Sequence, residues 1–183
     1  MGISEDLETI NYHFVEKIAD NMETFGVSKT IGIVLGTIYM NRKPMTLDEL
    51  AEETGLSKMR MSQVVREMNE LNIAKRVFIK GSRKDHIQVE DDYYQTFISL
   101  FTSNWRKAIQ KSRNFEEKRR KDLTNLERVE LQTEELVNEK NKLENELIEW
   151  SEYYDWINRL IEFFDSGEIF KHVPINEKEN IYE

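Results

Sequence analysis

Apolar and polar positions alternate along this chain with two different periods. Leu7, Ile10, Phe14, Ile18, Met22 and Phe25 recur at steps of three and four, the spacing of one helix face, so an amphipathic helix is expected from about Glu5 to Phe25, closed by Gly26. So bulky a stripe needs cover, either from the C-terminal region of the same chain or from a partner subunit. Ser28 opens a second helix, SKTIGIVLGTIYMNR, in which Gly32 and Gly36 stand one turn apart. A glycine inside a helix costs roughly 1 kcal/mol relative to alanine, so the pair marks the close approach of another element.

The stretch from Thr46 to Glu90 carries the densest signals. Thr46 is a good N-cap, Glu49 stands three residues on to complete a capping box, and Leu47, Leu50 and Ala51 follow at helical spacing. Pro44 keeps this helix from starting earlier. Gly55 supplies a tight turn, Leu56 plugs the angle between two helices, and Ser57 caps the second. On that second helix Met61, Val64, Val65, Met68 and Leu71 share one face. The other side presents Met59, Ser62, Gln63 and Arg66, flanked by Lys58 and Arg60. The period then changes to two: Val77 and Ile79 within Lys75 to Lys80 alternate against Ile87 and Val89 within His86 to Glu90, around a turn built on Gly81 to Asp85. Arg83 and Lys84 sit at its tip. Helix, turn, helix and hairpin in this order describe a winged helix-turn-helix.

Beyond the hairpin, Asp91 or Asp92 caps a helix on which Tyr93, Phe97, Phe101 and Trp105 fall four apart, with Tyr94 alongside, whereas Tyr39 at the end of the second helix reads as core packing with its hydroxyl at the surface. An aromatic stripe at this spacing is more often core than ligand box; the competing reading is a cage that holds a quaternary ammonium by cation-π attraction. Further on, Leu126, Val129, Thr133, Leu136, Lys140, Leu143, Leu147, Trp150, Tyr154, Ile157, Ile161 and Phe164 keep a heptad register broken only by Thr133 and Lys140. A seam of that length has to be buried. Homodimerisation through paired helices is the preferred reading, with an intramolecular hairpin against Trp105 to Lys121, or packing on the N-terminal helix, as alternatives. Gly167 closes the helix, and EIFKHVPINEKENIYE reads as a loosely held tail. The expected class is therefore mainly α: an N-terminal dimerisation helix in 1–27, a winged helix-turn-helix head with a two-stranded β wing in 28–92, long dimerisation helices in 93–166, and a tail in 167–183.

Charge changes the picture. The chain of 183 residues is net -9, yet residues 58 to 84 hold eight Lys or Arg against two acids, whereas residues 122 to 183 hold seventeen acids against six bases. Local inversion of that kind fits a surface that meets phosphates, with the acidic part directed away from nucleic acid. A second basic run, Arg106 to Lys121, has eight cations and two acids; contact with the DNA backbone is one reading of it and a solvated helix face the commoner one. The candidate DNA-contacting residues are Ser57, Lys58, Met59, Arg60, Ser62, Gln63, Arg66, Arg83 and Lys84, which combine cations, base-edge hydrogen bonding and a methyl-contacting side chain. The alternative function is a scaffold whose winged head and coiled helices bind other proteins.

Other classes find little support. A mean hydropathy of -0.67 and the lack of any stretch near the ~20 apolar residues of a membrane span indicate no membrane partner. MGISEDLETI has no apolar core of signal-peptide type, so a cytoplasmic location is expected. Cysteine is absent, and His13, His86 and His172 lie far apart without ligand spacing, so no metal or other cofactor is expected. No nucleophile with its base, phosphate-binding glycine loop or distinctive carboxylate pair appears, which leaves no catalytic residues and no enzyme reading.

Several phrases resemble a known group. Met22-Glu-x-Phe-Gly26, Gly36-Thr-Ile-Tyr39, the run from Arg42 to Glu49, the opening of the second helix from Ser57 to Ser62, and Lys80 to Asp85 are similar to the GbsR/OpcR branch of the MarR-type dimeric repressors, which controls osmoprotectant genes in bacteria. The resemblance runs over most of the chain and is densest from Met22 to about Trp105. It implies a homodimer that represses by occupying a double-stranded operator, and an effector such as choline or glycine betaine held by Tyr39, Tyr93, Tyr94, Phe97 and Trp105. Met40 stands where a further aromatic is expected, and the acidic residue two before the wing arginine of many MarR-type proteins is missing.

Overall fold

Local capping chemistry sets the helix starts of the head. A computed structural model describes residues 2–127 and 133–176. In it α1 spans Ile3–Glu23 and α2 spans Lys29–Asn41, the latter capped by the Ser28 hydroxyl, which accepts from the Ile31 amide. A two-residue strand β1, Met45–Thr46, leads directly into α3, Leu47–Thr54. The Thr46 hydroxyl accepts from the Glu49 amide at 3.2 Å while the Glu49 carboxylate accepts from the Thr46 amide at 2.7 Å, the capping box expected from the sequence. Gly55 ends α3 at φ 70°, a left-handed conformation that a residue without Cβ adopts cheaply. Ser57 then caps α4, Lys58–Glu70.

The wing consists of β2, Ala74–Val77, and β3, His86–Val89, paired antiparallel with Ala74 opposite Val89 and Arg76 opposite Ile87. Two details differ from the sequence pattern. The first strand stops at Val77, so Ile79 lies beyond the ladder rather than in it. In addition, β1 pairs with the other edge of β3, Met45 opposite Ile87, which gives a three-stranded sheet in the order β1-β3-β2. Two residues are too short a run to show any period.

One apolar core gathers α1, α2, α3, α4, the sheet and the start of α5, Tyr93–Glu127. Leu50, Met61, Val64, Val65, Met68 and Ile87 are fully buried within it. α1 lies against α2, where the two helical glycines face Ala19 and Val15. Val15, Ile18, Ala19 and Met22 are buried there, whereas Ile3, Leu7, Ile10 and Phe14 are half or more exposed. The expected stripe is thus covered over its C-terminal half only. Asp92 accepts from the Tyr94 amide at 2.8 Å and so caps α5. Ser103 on α5 donates to the Leu71 carbonyl and accepts from the Asn72 amide group, fastening this part of α5 behind α4.

The chain divides into two units, Met1–Ser103 and Asn104–Glu183. Within the second, α6, Glu134–Asp165, folds back along the later part of α5. Ile109 packs with Ile157 and Ile161 beside Trp105 and Tyr154, the Trp150 indole donates to the Ser112 hydroxyl at 2.5 Å, and Arg106 pairs with Asp165. This is the intramolecular hairpin rather than one helix with one uninterrupted seam. Thr133 is the N-cap of α6, its hydroxyl accepting from the Leu136 amide, and so is not a seam position at all. Leu126 belongs to a different helix from Leu136, and Val129 lies outside the described residues. Leu147, Ile157 and Ile161 are buried in the hairpin, while Leu136 and Leu143 remain about half exposed. Lys140 is nearly covered and pairs with Glu144 at 2.6 Å. Gly167 turns the chain at φ 72°, after which Ile169–His172 form a single helical turn, α7, where a loose tail was expected; residues 177–183 lie outside the described residues. Among the described residues no helix is long and apolar enough to cross a membrane.

Candidate nucleic-acid interface

The amphipathic character of α4 decides what it offers to solvent. With Met61, Val64, Val65 and Met68 buried, Met59, Gln63 and Arg66 are left on the outward face, and Met59 is 84% exposed. Arg60 and Ser62 are partly covered at the edges of that face. The Arg60 guanidinium donates to the Gln63 side-chain oxygen at 2.9 Å, so these two candidate side chains hold each other in place. Ser57 already spends its hydroxyl as an acceptor for the Arg60 amide at 3.3 Å. Its candidate role is therefore first of all that of a cap.

The wing meets the start of α4 through an acid that the sequence did not single out. Asp48, in the first turn of α3, lies 2.5 Å from the Lys58 ammonium and 2.7 Å from the Lys84 ammonium, one carboxylate oxygen on each. Hydrogen bonds from Lys58 first and Lys84 second hold its carboxyl down at about 2, and Asp48 in turn raises the Lys84 ammonium above its ordinary value. The bridge is complete above the ordinary aspartate range and is lost only as pH falls toward about 2. An Asp at this position reads, in sequence, as a favourable charge at a helix N-terminus. Its partners are ten and 36 residues away, and only the fold brings them together.

Toward the tip, Arg76 of β2 donates to Asp85 at 3.0 Å across the hairpin, and the turn at Gly81 has φ 93°. Arg83 is exposed, as are Lys75 and Lys80. Phe78, 85% exposed, projects from the same hairpin. Lys58, Lys84, Arg60 and Gln63 thus carry internal partners, while Arg66, Arg83 and Met59 stand outward beside them.

The candidate aromatic box is assembled only in part. Tyr39 is buried, and its ring lies 4.5 Å from that of Tyr93 and 4.0 Å from the Arg42 guanidinium carbon. Desolvation first, then a hydrogen bond with Tyr39, pushes the Tyr93 phenol up to about 12. Phe97 meets Phe25 edge-on at 5.8 Å and stacks with Phe101 at 6.2 Å. Tyr93, Tyr94 and Phe97 are each 42% exposed or more, so within one chain they are not the core stripe that their spacing suggests. The buried face of this part of α5 is instead Thr96, Ile98, Leu100, Thr102 and Ser103. Trp105 packs on the Ile109, Ile157 and Ile161 cluster of the second unit. Arg42 already occupies one ring face of Tyr39. The sequence pattern does not point to it, because a cation ahead of a proline loop carries no signal of its own.

Comparisons with known proteins agree with this geometry. A family model described as the GbsR family transcriptional regulator C-terminal helical hairpin matches residues 93–171. The chain is 56% identical over 168 residues to the HTH-type transcriptional repressor OpcR of Bacillus subtilis (strain 168), covering 92% of this chain and 91% of that one. It is 36% identical over 164 residues to the HTH-type transcriptional repressor GbsR of the same organism, covering 90% and 91%. A crystal structure of a transcriptional regulator shares the fold with a TM-score of 0.59 at 14% identity, over 88% of this chain and 98% of that chain.

Proposed function

The chain belongs to the GbsR family of transcriptional regulators and is a DNA-binding repressor of the GbsR/OpcR type; from that premise we propose that it acts as a homodimer occupying an operator of osmoprotectant uptake or synthesis genes. The observation that carries the DNA-facing reading is the meeting of Lys58 and Lys84 on one carboxylate, which puts the start of α4 and the wing on one surface. α4 enters a major groove with Met59, Ser62, Gln63 and Arg66 toward base edges, and Lys58, Arg60, Arg83 and Lys84 meet phosphates or the neighbouring minor groove. Two such heads require a near-palindromic operator with half-sites about 10 base pairs apart or a multiple of that.

Arg83→Ala tests the wing contact. Loss of one phosphate contact lowers affinity for DNA of any sequence and reduces the slope of log K against log salt by about 0.9. Fluorescence anisotropy on a mixed-sequence duplex at several salt concentrations reads both quantities. An unchanged slope removes the wing from the interface, and absence of binding by the unmodified protein at low salt favours the scaffold reading instead.

For the effector, the proposal is a small quaternary ammonium on the aromatic set of Tyr39, Tyr93, Tyr94 and Phe97. Its support is the exposure of the Tyr93, Tyr94 and Phe97 rings, whose electron-rich faces attract a cation without a counter-charge. Such a ligand shifts DNA binding only if it prefers one arrangement of the heads. Titration calorimetry with choline, glycine betaine and an uncharged polyol should give heat with at least one of the first two and none with the polyol; no heat from either leaves the rings with a packing role.

A further inference from the structure

Lys58 and Lys84 do not wait in solvent for DNA, because each already has an anion. Asp48 accepts from both, one oxygen to each, and it is fixed in place by the first turn of α3 behind the Thr46 capping box. The lysine side chains are 76% and 63% exposed, so a phosphate arriving from solvent can reach them. We propose that Asp48 is an internal competitor of the DNA phosphates, a positioning residue that holds Lys58 and Lys84 at the interface and withholds one of their two positive charges from DNA. The inference rests on the DNA-facing reading of α4 and the wing.

The physical argument is one of charge balance. Non-specific binding of a duplex is driven by release of condensed counterions in proportion to the phosphates neutralised. Two lysines without Asp48 would present two positive charges, and the trio with Asp48 presents one. A phosphate that takes either lysine must displace the carboxylate, which then stands within a few ångströms of the DNA as a like charge. Asp48 therefore lowers affinity for every sequence alike and makes binding less sensitive to salt, while Arg66 and Arg83, which it does not touch, keep their full charge.

Asp48→Asn removes the charge and keeps the side-chain shape. On a mixed-sequence duplex the variant should bind about fivefold tighter at 0.15 M salt, and its log K against log salt should steepen by about 0.9, the contribution of one further phosphate. In a Lys58→Gln/Lys84→Gln background the same substitution should leave the slope unchanged, since no lysine is there to be freed, and should raise affinity only by the smaller repulsion of the carboxylate from the DNA. Thermal unfolding of each variant confirms that the head is intact. Equal or weaker binding by Asp48→Asn with an unchanged slope would overturn the inference and leave Asp48 as a tie that steadies the wing. A steepened slope that survives in the double-lysine background would overturn it as well, by placing the effect elsewhere. Absence of binding by the unmodified protein at low salt would instead remove the DNA-facing surface and this inference with it.

Discussion

Gly32→Ala is expected to destabilise the head by about 2 kcal/mol, although alanine is the better helix former. A Cβ at this position would lie 2.5 Å from the Ala19 Cα and 3.0 Å from its carbonyl oxygen, both backbone atoms of α1. Backbone cannot rotate away as a side-chain end can, so α1 and α2 must separate along their contact. Overpacking of this kind costs typically 1–3 kcal/mol, and a contact with backbone belongs at the upper end, while the gain in helix propensity returns up to about 1 kcal/mol. Gly36→Ala is the internal control, because its added Cβ would sit 3.2 Å from Val15, close but tolerable, and the two effects should nearly cancel. Urea denaturation of the three proteins reads the difference. A Gly32→Ala midpoint no lower than that of the unmodified protein would show that the helices slide apart without cost.

Leu7→Glu/Ile10→Glu should convert the proposed dimer to a monomer and weaken operator binding by roughly a hundredfold or more. In one chain Ile3, Leu7, Ile10 and Phe14 are 50–81% exposed, so the substitutions fall outside the buried core of the head. Full burial of such a side chain is worth about 1.5–3 kcal/mol, and covering the exposed half about 1. A symmetric interface counts each residue twice, so the double variant removes about 4 kcal/mol of apolar burial and introduces four carboxylates that would have to be desolvated. At 1.4 kcal/mol per tenfold, that raises the dissociation constant by roughly a thousandfold. Two linked heads also gain an effective concentration that a single head lacks, worth about 10²–10⁴ in affinity on a two-half-site duplex. Sedimentation equilibrium tests the first effect. Anisotropy on a duplex selected for binding to the unmodified protein tests the second, and a variant that stays dimeric would move the interface away from α1.

What the sequence discloses here is mostly what is local. Thr46 with Glu49, the Gly55 turn, the Ser57 cap and the buried face of α4 each involve residues within about a helical turn of one another, and each appears in the structure as read. Gly32 and Gly36 announce a close neighbour without saying which, and α1 supplies it. The heptad register from Leu126 to Phe164 misleads because alternating steps of three and four continue across a helix start. Thr133 followed by Glu134 and Glu135, a hydroxyl cap with two acids in the first turn, is the signal that marks the break. The candidate DNA residues are legible as types on a face; their internal pairing is not. Asp48 and Lys84 are 36 residues apart, and no periodicity encodes a contact made through a turn, a helix and a hairpin.

The middle position of β3 has a mechanical consequence. β1 satisfies one edge of it and β2 the other, and the last residue of β1 is also the cap of α3. The root of the wing is therefore bolted to the helix that precedes the turn, and neither can swing without the other. Any stroke that lifts a head out of a groove carries both as one lever arm. Between the last rung and the ties of Lys84 to Asp48 and Asp85 to Arg76, the hairpin end from Phe78 to Arg83 is left to bend over an irregular surface.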